Sequence, residues 1–217
     1  MKYLNLILLA LLAVSGVYCT LGLDLAGAFT TTNFQCIKNL GYSYVIIRGY
    51  RSPGALDTSA TQSLTNAKAA GLATDMYMFP CRGKSATAQV DEMMAGISGS
   101  LYTTAWIDVE TNPSAGCSWS GHDANSNCQF LTDIINHIKS KGKTVGIYSS
   151  TYMWTSIFGS KGACPSVSDT PIWYAHYDKV ASFADWTSFG GWTKPTIKQF
   201  DGDTTVCGLD VDKNYKA

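Results

Sequence analysis

The 217-residue chain is poor in charge, histidine and proline, and several familiar catalytic signatures are missing. Sixteen basic residues balance sixteen acidic ones. Without a basic excess there is no electrostatic footprint for nucleic acid or for a strong grip on anionic surfaces. The three histidines, His122, His137 and His176, are scattered and no Cys-x-x-Cys occurs, which argues against a zinc site. There is no Gly-x-Ser-x-Gly elbow for a serine nucleophile and no His-Glu-x-x-His. No glycine-rich phosphate loop follows the first strand-like segment. The sequon-like Asn112-Pro113-Ser114 is blocked by its proline. After residue 19 no apolar run approaches the roughly 18 residues needed to span a bilayer.

What is present begins with a leader. Lys2 supplies a positive start, residues 6–14 are unbroken apolar, and residues 15–19 end in small side chains. This pattern predicts a secretory signal peptide over residues 1–19, cleaved after Cys19 with Val17 at −3. Tyr18 is too bulky for a lipoprotein signal ending at Cys19. The remaining residues, 20–217, suffice for one domain with a large core and carry 15 basic and 16 acidic residues. They hold six cysteines, an even number that implies disulfides in an oxidising compartment. The short polar stretch between Cys117 and Cys128 makes them the expected pair, with Cys36–Cys81 and Cys164–Cys207 following.

Strand-like and helix-like segments alternate. Strands are expected over 22–26, 44–48, 74–79, 103–110 and 144–148, and helices over 30–40, 58–70, 86–97, 130–141 and 152–158. A polar loop is expected over 111–127. The rhythm then changes, with strands at 172–177, 196–200 and 209–211 and no long helical pattern between them. Five βα units with a strand-only tail predict a mainly parallel sheet. A closed barrel is favoured over an open doubly wound sheet. Closure would set the last strand beside the first and bring together Asp24 and Asp210, which end the repeated tripeptides Gly22-Leu23-Asp24 and Gly208-Leu209-Asp210.

The chemistry is expected at Asp108 and Glu110. They close an apolar run, Ala105-Trp106-Ile107-Asp108-Val109-Glu110, and strand geometry points i and i+2 to one face. Two like charges in a buried setting split their proton affinities, as an acid/base hydrolase requires. At the strand ends of a closed barrel, Asp24, Asp108, Glu110 and Asp210 would converge, with Asp203 or Asp212 as substitutes for Asp210. Tyr148 and Trp173 are expected to offer aromatic faces to a sugar, with Tyr77 and Gln199 beside them. Phe79, Tyr174, Tyr177 and Phe200 are read as core.

Gly22-Leu23-Asp24-Leu25, Trp106-Ile107-Asp108-Val109-Glu110, Ile172-Trp173-Tyr174-Ala175-His176-Tyr177, Gln199-Phe200 and Gly208-Leu209-Asp210-Val211-Asp212 together resemble glycoside hydrolase family 25, the N-acetylmuramidase lysozymes. The resemblance implies an irregular TIM-like α/β barrel of five βα units followed by three strands with few helices, filling residues 20–217. It implies hydrolysis of the β-1,4 bond between N-acetylmuramic acid and N-acetylglucosamine in bacterial peptidoglycan. It assigns the general acid to Glu110, the assisting carboxylate to Asp108, and the flanking carboxylates to Asp24 and Asp210. The family pattern has an Asn two residues after the last aspartate, where this chain has Asp212. On this reading burial raises the Glu110 carboxyl beside an ionised Asp108. No cofactor or metal is implied, the mature form needs neither nucleic acid nor membrane, and a monomer is expected. The competing functions are a glycan-binding barrel without catalysis and a chitinase. The family 18 chitinase strand motif is incomplete here, with Thr103 and Ala105 where acids would stand.

Overall fold

A computed structural model describes residues 20–217, so the expected leader at 1–19 lies outside the described residues. Five βα units come first. They are β1 (Thr20–Leu25) with α1 (Thr31–Asn39), β2 (Tyr44–Arg51) with α2 (Ala60–Ala69), β4 (Ala73–Met78) with α3 (Ala86–Gly96), β5 (Thr104–Asp108) with α4 (Ala124–Ser140), and β6 (Thr144–Ser149) with α5 (Thr151–Phe158). A two-residue strand, β3 (Ala55–Leu56), folds back on β2. The tail is β7 (Ile172–Ala175), β8 (Ile197–Val206) and β9 (Leu209–Lys216).

Eight of these strands close a ring in the order β1-β9-β8-β7-β6-β5-β4-β2, and β2 pairs back onto β1. The neighbours are parallel except where β9 meets β1 and β8. Strand alternation then gives each strand two duties. Leu23, Val45, Ile47, Met76, Ile107 and Ile147 face the helices in the main core. Tyr44, Ile46, Trp106, Tyr148, Trp173 and Ile197 form a separate cluster inside the barrel. Trp173 packs 5.8 Å from Trp106 and 4.4 Å from Tyr148, centroid to centroid. Two interior positions must be glycine: a Cβ at Gly22 would lie 2.2 Å from the Tyr44 ring, and one at Gly146 2.3 Å from the Trp106 ring.

Several expectations change. Helix α4 starts at Ala124, inside the segment read as loop, because Asp123 caps it by accepting from Ser126 N at 2.9 Å. In its otherwise exposed polar first turn, Asn127 is buried. The Asn127 amide donates to the carbonyls of Trp119 and Ile157, and its oxygen accepts from Arg82 Nε. Strands β8 and β9 run much longer than expected and form a hairpin that turns at Cys207-Gly208, both with positive φ.

The disulfide pairing differs at every bridge: Cys36–Cys207, Cys81–Cys117 and Cys128–Cys164. The loop after β5 runs beside the loop after β4, where Arg82 N donates to the Cys117 carbonyl at 3.1 Å, so Cys117 meets Cys81. Cys128, half-buried in the second turn of α4, reaches the segment after α5. The long β8–β9 hairpin reaches back to α1, which carries Cys36.

Candidate active site

The carboxylates gather where parallel strands of such a barrel end. Asp24 is near the end of β1, Asp108 ends β5, and Glu110 lies two residues beyond. The chain stays extended there because Val109 N donates to the Tyr148 carbonyl at 2.8 Å, and both acids therefore face the same way. They line a cavity of about 130 Å³ with Asp24, Asp212, Gln199 and the aromatic rings Tyr77, Tyr148, Trp173 and Tyr177.

Ring closure brings the last strand against the first, but in a register that selects Asp212. Asp24 pairs with Asp212 across β1 and β9. Asp210 pairs with Thr205 across the hairpin and is exposed, on the rim of an adjoining groove with Asp203. Asp210 is thus displaced from the acid cluster, and Asp212, the alternative, stands in its place. The Asp-x-Asn spacing is met two residues later, at Asp212-Lys213-Asn214, with Asn214 Nδ2 donating to Asp24 Oδ1 at 2.7 Å.

Gln199 is the hub of the site. Its side-chain oxygen accepts from Tyr148 Oη at 2.6 Å and Tyr177 Oη at 2.7 Å. Its amide donates to Asp24 Oδ1 at 2.8 Å and Asp212 Oδ2 at 3.1 Å. Two phenols and two carboxylates fix which end of the amide is which. Asp212 Oδ1 accepts the Asp203 backbone N–H at 2.7 Å. Trp173 Nε1 donates to Asn214 Oδ1 at 2.8 Å, which orients Asn214 toward Asp24.

Burial governs the protons. Asp24 is pushed up to about 8, first by burial and then by the charge of Asp212, against the hydrogen bonds from Asn214 and Gln199. Burial also raises Asp212. Asp108 is 5 % exposed, and its Oδ1 finds no donor among the described residues. Its close neighbour is the carboxyl of Glu110, whose charge acts on it. Burial raises both members, and Asp108, further raised by the charge of Glu110, sits well above the ordinary range. With both carboxyls raised, the pair holds a proton to higher pH than two free carboxyls would. Asp108 is the deeper member, while Glu110 is half-buried and faces the cavity. Such an arrangement can deliver a proton to an oxygen resting at the mouth and then stabilise a positive charge beside it.

Tyr77, Tyr148, Trp173 and Gln199 line the cavity together, and so does Tyr177, which strand patterning had assigned to the core. Among the described residues, His176, Asp178 and Asp185 are close enough to share a cation. The fully buried Lys198 holds that place, with Nζ 2.7 Å from both Asp178 and Asp185.

A family profile described as lysozyme-like protein 1 matches residues 16–200. The chain belongs to the glycoside hydrolase family 25 lysozymes. It is 39% identical over 200 residues to the probable GH family 25 lysozyme 5 of Dictyostelium discoideum, covering 90% of this chain and 89% of that protein. It is 37% identical over 201 residues to lysozyme-like protein 5 of Caenorhabditis elegans, covering 89% and 90%. Solved structures share the barrel. The bacterial lysozyme from Streptomyces coelicolor superposes with a TM-score of 0.76 at 25% identity over 90% of each chain. The family GH25 lysozyme from Aspergillus fumigatus gives 0.75 at 22% over 92% of this chain and 94% of that one. As in other glycoside hydrolases, a lysozyme needs a proton donor at the leaving oxygen. In this lysozyme both carboxyls of the raised pair border the cavity, and Glu110 is the less buried of the two.

Proposed function

We propose that this lysozyme is secreted and hydrolyses the β-1,4 bond between N-acetylmuramic acid and N-acetylglucosamine in bacterial peptidoglycan. Glu110 is the general acid. The observation that carries this is its position: it lies beside the buried Asp108 carboxyl, is itself half-buried and borders the cavity.

In the first step the proton held by the pair of Asp108 and Glu110 moves through Glu110 to the glycosidic oxygen, and the bond between that oxygen and the anomeric carbon breaks. Donation leaves both carboxylates ionised as the sugar acquires oxocarbenium character, so negative charge appears where positive charge develops. Water then adds to the anomeric carbon, and the proton it loses restores the pair. Asp24 and Asp212, spanned by Gln199, hold the sugar from the β1–β9 side, and Tyr148, Trp173, Tyr77 and Tyr177 supply apolar faces and hydroxyls.

Three disulfides fit a protein matured in an oxidising compartment. Among the described residues no helix is long and apolar enough to cross a membrane. Cleavage after Cys19 would release residues 20–217 as a monomer to the cell exterior or a digestive lumen. The test is clearing of a bacterial cell-wall suspension. Glu110→Gln should lower the rate about 10²–10⁴-fold, the usual worth of a positioned acid, with an unchanged melting curve. Near-normal clearing by that variant would remove Glu110 from the role.

A further inference from the structure

We infer that Arg48 binds a carboxylate carried by the substrate, at a subsite on the β2 side of the mouth, and so selects acidic wall glycans over neutral ones. This rests on the lysozyme reading and deepens it. Alternation along β2 places Tyr44 and Ile46 inside the barrel, and Arg48 is the next residue on that face, toward the mouth. Ile46 pairs with Asp24 on β1, so Arg48 stands roughly 6.5–7 Å further along than the level of Asp24. Across to β4, Arg48 pairs with Tyr77, which borders the acid cavity and the adjoining groove, and the Tyr77 phenol feels the guanidinium charge.

The guanidinium is held by one edge. Arg48 Nε donates to Asp57 Oδ2 at 2.8 Å. Asp57 is itself clamped, with Oδ1 accepting from Ser59 N at 3.1 Å and Ser59 Oγ at 2.6 Å. The Asp57 side chain is 7% exposed and that of Arg48 is 34% exposed. Among the described residues Asp57 is the hydrogen-bond partner of Arg48, and it engages Nε alone. The two Nη groups keep their donors for a ligand, in a fork that matches a carboxylate. A half-exposed ion pair of this kind adds little stability by itself.

Charge gives the subsite its purpose. Among the described residues no lysine or arginine lines the acid cavity or the adjoining groove, whereas Asp24, Asp108, Glu110, Asp203, Asp210 and Asp212 each line one or both. An anionic glycan entering that mouth would be repelled unless its negative group met a fixed cation at the edge. In wall glycans a carboxylate is found on the lactyl ether of muramic acid or on the peptide attached to it.

The test compares kcat and KM on three soluble muramic-acid glycans. One carries a free lactyl carboxylate, one the lactyl methylamide, and one a short peptide ending in a free carboxylate. The unmodified enzyme is expected to favour at least one carboxylate form over the methylamide by about tenfold or more, through KM. Which form is favoured identifies the source of the carboxylate. Arg48→Gln should bring that ratio close to one while leaving the methylamide parameters unchanged, and Arg48→Lys should keep part of the preference. If Arg48→Gln does not fold, the reduced preference of Arg48→Lys carries the comparison. Equal losses on all three glycans, or no preference by the unmodified enzyme, would overturn the role of Arg48 and leave the lysozyme reading intact. Failure of the unmodified enzyme to cleave any of them, or intact walls, would sink the lysozyme reading itself and this subsite with it.

Discussion

Gln199 and Asp24 are 175 residues apart in the chain, and Nε2 of one donates to Oδ1 of the other at 2.8 Å. The contact spans β9, which lies between their two strands, and ties the tail of the barrel to its first strand. Gln199→Leu removes four hydrogen bonds at once and leaves two phenols and two carboxylates short of a partner. A buried polar group left unpaired costs about 1–3 kcal/mol, so urea unfolding should show a loss on the order of 3 kcal/mol. Misplaced acids should also reduce kcat/KM about 10²-fold on soluble glycan.

Asp212 and Asp210 offer a sharp contrast because they share one face of β9. Asp212→Asn should lower kcat/KM by about tenfold or more. Asp210→Asn, at an exposed position, should stay within about twofold of the parent. The charge of Asp212 raises Asp24 and Glu110, so its removal should let both carboxyls release their protons more easily. The alkaline limb of the kcat/KM profile should then move to lower pH. An unmoved limb in Asp212→Asn, or a large loss in Asp210→Asn, would reverse the assignment.

Stability should fall as pH rises across the site's titration. Asp24 releases its proton near 3.8 when unfolded and about 8 when folded, so between those values the folded state binds more protons than the unfolded state. Its stabilising contribution is complete below about pH 4 and is lost as pH climbs toward 8. Asp108, Glu110 and Asp212 are raised too and add to the same slope. Urea unfolding free energies measured between pH 5 and pH 8 should drop, by an amount on the order of a few kcal/mol. Asp24→Asn should flatten the dependence, and a midpoint that rises with pH would contradict the proton inventory.

The Cys36–Cys207 bridge closes 171 residues and tethers the hairpin whose Asp203 N–H holds Asp212. Chain entropy assigns a bridge of that span about 4–5 kcal/mol. The double substitution Cys36→Ala with Cys207→Ala should therefore lower the unfolding free energy by about that much, measured against the intact chain under non-reducing conditions. A loss below about 1 kcal/mol would mean that the unfolded chain is already compact.

The barrel was legible because its signals are local. Helices ending at Gly41, Gly71 and Gly142 alternate with strand-like runs such as Tyr44-Val45-Ile46-Ile47-Arg48, five times before the pattern stops. Asp108, Glu110 and Asp24 stood out for the same reason, each set in an apolar run. Asp212 was legible only as a substitute for Asp210, since the repeated Gly-Leu-Asp tripeptide drew attention to Asp210 and only the β1–β9 register separates the two. Tyr177 follows β7 in a non-repetitive segment, and no periodicity marks its turn toward Gln199. Disulfide connectivity depends on which loops lie side by side, as at Arg82 and Cys117, and spacing along the chain does not encode it. The polar start of α4 resembles a loop because Asn127 satisfies buried carbonyls that the sequence does not reveal.

Beneath the acids, Trp106, Trp173 and Tyr148 fill the inside of the ring. Asp24, Asp108, Glu110 and Asp212 all border the same cavity above that floor. A sugar seated there covers the four acids together and takes water from each, so docking itself raises their hold on protons before any bond is broken.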